Sequence, residues 1–239
     1  MHPILFKIGP ITIRSYGFMV ALAFFVGFSL LYREAQRRNF HANKILDLEF
    51  LILISGIIGA RALHVLVNLD FYGENWLNVF FIWHGGLAFY GGLILAILAS
   101  WLFILKKGLP LWETADFIIP YITLGQSIGR IGCFLNGCCF GKEGHPTQLY
   151  ASIALLGIFV ILKIVQEKHI FSGFTFGLYL ALYSVQRFFI DFLRADTPRY
   201  ALNLTVSQII SVVLFAIAIF VFNFRTRLGG KRARGRIKI

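Results

Sequence analysis

The residues of this chain that could make or break bonds crowd into one stretch. Between residues 125 and 150 stand Arg130, Asn136, His145 and all three cysteines, Cys133, Cys138 and Cys139, with strongly apolar sequence on both sides. A guanidinium at membrane depth costs on the order of 3 kcal/mol on insertion scales. Arg130 therefore has to face protein, water or an anionic ligand. Its planar fork matches the paired oxygens of a phosphate. Gly125, Gly129, Gly132, Gly137, Gly141 and Gly144 punctuate the stretch. They are expected to admit close backbone approach or a positive φ.

Tyr183, Arg187, Asp191 and Arg194 form a second polar set. Steps of three and four place them on one helical face. Polar stripes inside apolar spans usually line functional cavities; the plainer reading is an Arg187–Asp191 pair that locks two helices. Arg61, in Gly59-Ala60-Arg61-Ala62-Leu63-His64, reads equally as a packing residue or a substrate contact. The run His84-Gly85-Gly86-Leu87-Ala88-Phe89-Tyr90-Gly91-Gly92 suits a helix that bends around a ligand, or close helix packing. The cysteines invite a metal, but structural zinc wants four ligands. Adjacent Cys138 and Cys139 supply that poorly, and the fourth ligand would have to be His145. No metal is expected. A Cys133–Cys138 disulfide stays open, and small packed thiols are the leading expectation.

Apolar spans must hold these residues in place. Of 239 residues, 58% are hydrophobic and 14% charged, and the mean hydropathy is +0.75. That composition excludes a soluble enzyme and predicts an all-α polytopic membrane protein. A net charge of +12 would point a soluble protein toward nucleic acid. Here the basic residues flank the spans: Arg33, Arg37, Arg38 and Lys44, then Lys106 and Lys107, then the run from Arg225 to Lys238. They set topology, and no nucleic-acid partner is expected. Spans of about 20 apolar residues are expected at residues 15–32, 48–69, within 77–105, 113–132, 148–166, 173–193 and 204–224. An odd number of crossings separates the termini. The basic clusters place the C-terminus in the cytoplasm and the N-terminus outside, in the periplasm. The expectation is a single integral membrane domain over residues 1–239, with a basic cytoplasmic tail at 225–239. Residues 2–14, broken by two prolines, are expected along the outer interface. The lack of an internal repeat argues against a transporter built from inverted halves.

Gly129-Arg130-Ile131-Gly132-Cys133-Phe134-Leu135-Asn136-Gly137, followed by Gly141, resembles the signature of bacterial prolipoprotein diacylglyceryl transferases. So do the His84–Gly92 run, Arg14-Ser15-Tyr16-Gly17, His145-Pro146-Thr147-Gln148-Leu149-Tyr150, and Arg187-Phe188-Phe189-Ile190-Asp191-Phe192-Leu193-Arg194. These motifs come in family order and cover nearly the whole chain. The resemblance implies a seven-span inner-membrane enzyme without metal or organic cofactor. Such an enzyme moves the diacylglyceryl group of phosphatidylglycerol onto the lipobox cysteine of a preprolipoprotein, giving a thioether and glycerol phosphate. The chain departs from the family pattern at Cys133, where asparagine is usual, at Cys138, where glutamate is common, and at Tyr90, where histidine is often found. Asp191 replaces a frequent glutamate.

The implied reaction needs a thiolate, a held phosphodiester and a stabilised leaving group. Arg130 and Arg187 are the expected phosphate clamp, facing one shared cavity. Tyr16, Asn136, Tyr183 and Gly141 are expected around the headgroup, Asp191 as the residue that orients Arg187, and Arg61 as a further contact. Tyr90 takes the family's base position, although a phenol with an ordinary pKa near 10 accepts protons poorly. His84 and His145 are the alternatives. A lipid flippase would use the same arginines but leave no covalent product.

Overall fold

The structure is a computed structural model that describes residues 3–8, 11–73, 75–81, 85–168, 170–195 and 203–235. Among the described residues, two antiparallel strands, β1 (Ile4–Ile8) and β2 (Ile11–Arg14), precede eight α-helices. These are α1 (Ser15–Arg37), α2 (Ala42–Val67), the short α3 (Leu69–Gly73), α4 (Phe89–Lys106), α5 (Leu111–Asn136), α6 (Thr147–Glu167), α7 (Phe174–Leu193) and α8 (Val206–Gly235). Among the described residues, seven helices are long and apolar enough to cross a membrane; α3 is not. The chain is an all-α polytopic membrane protein in its body, as expected.

The bounds differ from the expected spans for local reasons. α1 runs past Tyr32 to Arg37 because Glu34 accepts from Arg37 at 2.8 Å and Arg38 at 2.6 Å, one turn away. α2 starts at Ala42 because its polar first turns are still good helix. Hydropathy alone marks where lipid begins, not where a helix does. The expected third span holds one crossing helix, α4, with a 3-10 turn at Trp76–Phe80 before it. The amino-terminal segment forms a two-stranded hairpin. Its β-branched runs Ile4–Ile8 and Ile11–Arg14, around the Gly9-Pro10 pair, carried that signal.

The chain divides into two compact units. The first comprises Met1–Leu31 and Trp112–Ile239. Its core joins Ile119 of α5, Ile158 and Leu162 of α6, Tyr179 and Leu180 of α7 and Ala218 of α8. Polar staples reinforce it. Ser127 and Ser152 each donate to the other's backbone carbonyl, at 2.8 and 2.9 Å, which ties α5 to α6. Asp116 of α5 accepts from the backbone N–H groups of Gly173 at 2.6 Å and Phe176 at 2.7 Å, and so caps the positive end of α7. Arg225, the first residue of the basic tail, donates to the Ser172 carbonyl at 2.7 Å and lies over the Trp112 ring.

The second unit is Tyr32–Leu111. Here α2 and α4 cross without intervening side chains. A Cβ at Gly92 would stand 2.7 Å from the Gly56 carbonyl oxygen, and one at Gly59 would stand 2.6 Å from Leu95 Cβ. Close helix packing therefore accounts for Gly91-Gly92.

Candidate functional site

In the first unit a helix cap builds the centre of the glycine-rich stretch. At the end of α5 the N–H of Cys138 donates to the Cys133 carbonyl at 3.2 Å, and that of Gly137 to the Phe134 carbonyl at 3.2 Å. Gly137 has φ 78°. This is a Schellman cap, which returns the chain so that the second residue past the cap lies over the last full turn. In most helices an apolar pair meets there; here Cys138 meets Cys133. Cys139 follows with φ 61°, strained for a residue with a Cβ. Helix α6 fixes the loop: Gln148 donates to the Cys138 carbonyl at 2.7 Å and Thr147 to the Cys139 carbonyl at 2.8 Å. The result is three free thiols whose sulfur atoms all lie within 4.8 Å of one another.

The other glycines play separate parts. Gly132 packs on α1, where a Cβ would stand 2.9 Å from Met19 Cβ. Gly141 is buried, and a Cβ there would meet the His145 carbonyl at 2.6 Å; its N–H donates to that carbonyl. Gly129 has open space around it, directly before Arg130.

Four charged residues gather beside the thiols. The carboxylate of Asp191 is buried; its Oδ1 stands 3.4 Å from Arg187 Nη2 and 3.8 Å from Arg194 Nη1, and its Oδ2 accepts from the Thr205 hydroxyl. Arg187 also donates to Ser207 Oγ at 2.9 Å. Arg130 lies within electrostatic reach of Arg187, and Tyr183 and Arg194 share that field. Tyr16, half exposed on α1, is within reach of Arg130 and all three cysteines. Arg130 makes no hydrogen bond or ion pair among the described residues, and its side chain is only partly buried. Asn136 is exposed at the end of α5 and bonds toward the Cys138 thiol. The Cys139 thiol is pulled down to about 5, first by the hydrogen bond it accepts from Cys133 and then by the Arg194 and Arg130 charges. Burial raises Cys138.

The first unit thus brings together Arg130, Arg187, Arg194, Tyr16, Tyr183, Asp191, Asn136 and Gly141, and adds Thr205 and Ser207. Those additions had a signal. Thr205 Oγ1 accepts from the Gln208 N–H at 3.2 Å, and Gln208 Oε1 accepts from the Thr205 N–H at 2.9 Å. Thr205-Val206-Ser207-Gln208 is a capping box, a pattern visible as letters.

Arg61 and Tyr90 belong to the second unit. Arg61 is 7% exposed. Its Nε donates to the Val79 carbonyl at 2.9 Å, its Nη1 to Gly85 at 2.7 Å and Gly86 at 2.9 Å, its Nη2 to Asn78 at 2.5 Å and Phe81 at 3.3 Å. A guanidinium has five N–H donors, so none is left for a substrate. Gly85 and Gly86, at φ 93° and 77°, turn their carbonyls toward it. The bend expected at this glycine pair therefore wraps a side chain of the protein itself. Tyr90 is half exposed on the first turn of α4. His84 lies outside the described residues. His145 is exposed, with Nδ1 3.4 Å from the Tyr150 hydroxyl.

A sequence profile of the family described as prolipoprotein diacylglyceryl transferase matches residues 3–224. A phosphatidylglycerol–prolipoprotein diacylglyceryl transferase of Bacillus licheniformis is 33% identical over 250 aligned positions, covering 94% of this chain and 93% of that one. A protein of the same name from Staphylococcus aureus strain JH9 is also 33% identical, over 94% of this chain and 89% of its own. With its motifs, seven spans and clustered arginines all in accord, the chain belongs to the prolipoprotein diacylglyceryl transferase family.

Proposed function

We propose that the chain transfers the diacylglyceryl group of phosphatidylglycerol to the thiol of the lipobox cysteine in a preprolipoprotein signal peptide. The observation that carries this is the arrangement of Arg130, Arg187 and Arg194. Two of these guanidiniums flank one buried carboxylate, while Arg130 keeps its donors free among the described residues. Three positive charges near one buried acid leave a net positive site, suited to a phosphodiester.

Arg130 grips the phosphate, and Arg187, aligned by Asp191 and Ser207, shares the negative charge that grows as the bond breaks. Tyr16, Tyr183 and Asn136 supply further hydrogen bonds to the headgroup. The substrate sulfur attacks the glyceryl carbon attached to the phosphate oxygen. The C–S bond forms, the C–O bond breaks, and glycerol phosphate leaves with the thiol's proton on its phosphate oxygen. Gly141 shapes the loop. The protein works as one integral domain of a bacterial inner membrane, with its N-terminus outside and the basic tail 225–239 in the cytoplasm, as the basic clusters favour.

The test uses a lipobox peptide and phosphatidylglycerol vesicles. Wild-type protein shifts the peptide's mobility, and headgroup-labelled lipid releases glycerol phosphate in equal amount. Lipid movement across the bilayer with unmodified peptide would instead establish a flippase.

A further inference from the structure

We propose that Cys133, Cys138 and Cys139 form a binding site for a zinc-class cation, held by three thiolates with its fourth coordination position open to an external thiol. The geometry comes first. The sulfurs lie within 4.8 Å of one another. A cation about 2.3 Å from each sulfur in a tetrahedral arrangement spaces the sulfurs about 3.8 Å apart. Closing the set asks each pair of sulfurs to approach by at most roughly 1 Å, the scale of a small side-chain rotation.

The backbone is built for this. Spacing in the sequence argues against zinc, because adjacent cysteines normally point apart. Two features overcome that. The Schellman cap places Cys138 over Cys133, and the left-handed conformation at Cys139 turns the third thiol back toward both. Such strain at a residue with a Cβ persists only where the surroundings fix it. They do here: Thr147 and Gln148 hold the carbonyls of both loop cysteines. The loop is organised before any ligand arrives, which lowers the cost of binding.

Donor type and charge set the class of ion. Among the described residues the group is sulfur only, and soft thiolates select zinc and its thiophilic neighbours over magnesium or calcium. Three thiolates around a divalent cation carry one net negative charge. Arg130 and Arg194 both lie in the electrostatic field of Cys139 and balance it. His145, the only plausible fourth ligand by sequence, is not part of the group; it faces Tyr150. Three protein ligands and one open position is the arrangement of reactive zinc sites, not structural ones. The open position takes a thiolate by preference, and a thiol is also the acceptor in the proposed reaction; the site itself does not depend on that reaction.

The test is spectroscopic and needs no lipid transfer. Reduced protein in detergent is titrated with Co(II), then with Zn(II). One Co(II) per chain is expected, with sulfur-to-cobalt charge-transfer bands and intense tetrahedral d–d bands, both erased by Zn(II). Adding 2-mercaptoethanol shifts the d–d bands as it fills the open position. Cys133→Ser and Cys139→Ser weaken binding by at least about tenfold, and His145→Ala leaves it unchanged. In wild-type protein, Zn(II) also protects all three thiols from alkylation, which reports on the site even if a variant fails to fold. Absence of charge-transfer bands, equal binding by the triple Cys→Ser variant, or only one alkylatable thiol in protein purified without reductant would each overturn the proposal. If transfer to peptide fails while Co(II) binds as described, the proposed reaction falls and this site stands.

Discussion

Two arginine environments in this protein look alike as sequence and differ in kind. Arg61 in the second unit and Arg187 in the first are both guanidiniums inside apolar helices. Arg61 spends every donor on backbone carbonyls of the segment before α4. Arg187 donates to one hydroxyl, faces one carboxylate and sits near Arg130, whose donors meet nothing among the described residues. The lesson is an accounting one. An intramembrane arginine signals a site only when donors and charge remain after the protein's own acceptors are counted. By that count Arg61 is a clasp, and Arg130 keeps the free donors that the proposed phosphate contact needs.

The strongest way to break the contrast is to remove each arginine. Arg130→Ala should lower transfer by roughly a hundredfold or more, the scale for losing a donor to developing negative charge. Its thermal stability in detergent should stay close to wild type, because no partner is orphaned. Arg61→Ala should behave oppositely. It strands several part-buried carbonyls, each costing up to about 1–3 kcal/mol, so folded yield and melting temperature fall first. Arg61→Lys should rescue little, since one ammonium cannot reach five carbonyls. A stable Arg61→Ala protein that had lost only transfer would reverse the assignment.

Arg187→Lys should be nearly as damaging to transfer as Arg187→Ala. Lysine keeps the charge but loses the fork that reaches Ser207 and a phosphate together. Near-normal lipidation of the peptide by the lysine variant would show that charge alone suffices.

How much of this was legible as letters depends on the range of the signal. Hydropathy gave the seven spans because each is a property of about 20 adjacent residues. The Tyr183–Arg194 stripe was legible because helix periodicity is local. The fate of Arg61 was not. Its partners lie 17 to 25 residues away and are backbone carbonyls, which every residue has. The thiol cluster escaped for another reason. Adjacent cysteines read as divergent until the cap at Gly137 and the left-handed Cys139 are known. Both are conformations, and only the glycine leaves a mark in the sequence.

A smaller effect is expected at the cap that holds Asp191. Thr205→Ala removes both the capping oxygen of α8 and the donor to Asp191. The helix cap alone is worth about 1 kcal/mol. Melting temperature should drop modestly, and transfer should fall more than Gln208→Ala makes it fall, because only Thr205 touches the carboxylate. Equal losses in the two variants would mean that Asp191 gains nothing from that hydroxyl.

The smallest effect concerns one thiol and no change in turnover. If the first unit has positive field to spare, the field should act on whatever anion stands near it. Cys139 is such a group: its pKa falls to about 5, through the Cys133 hydrogen bond and the Arg194 and Arg130 charges. The thiolate is then present above about pH 5 and is lost as the pH falls below it. An ordinary thiol, near 8.5, stays protonated until well above neutrality. Brief iodoacetamide treatment of metal-free protein, followed by peptide mass mapping, should label Cys139 from about pH 5 upward, well before Cys138, whose thiol is raised by burial. Arg194→Gln removes one of the charges but leaves the hydrogen bond, so the Cys139 midpoint should move up while staying below that of Cys138. If Cys139 instead titrates like a free thiol and ignores Arg194, the arginines of the first unit are as fully spent as Arg61, and the contrast between the two units fails.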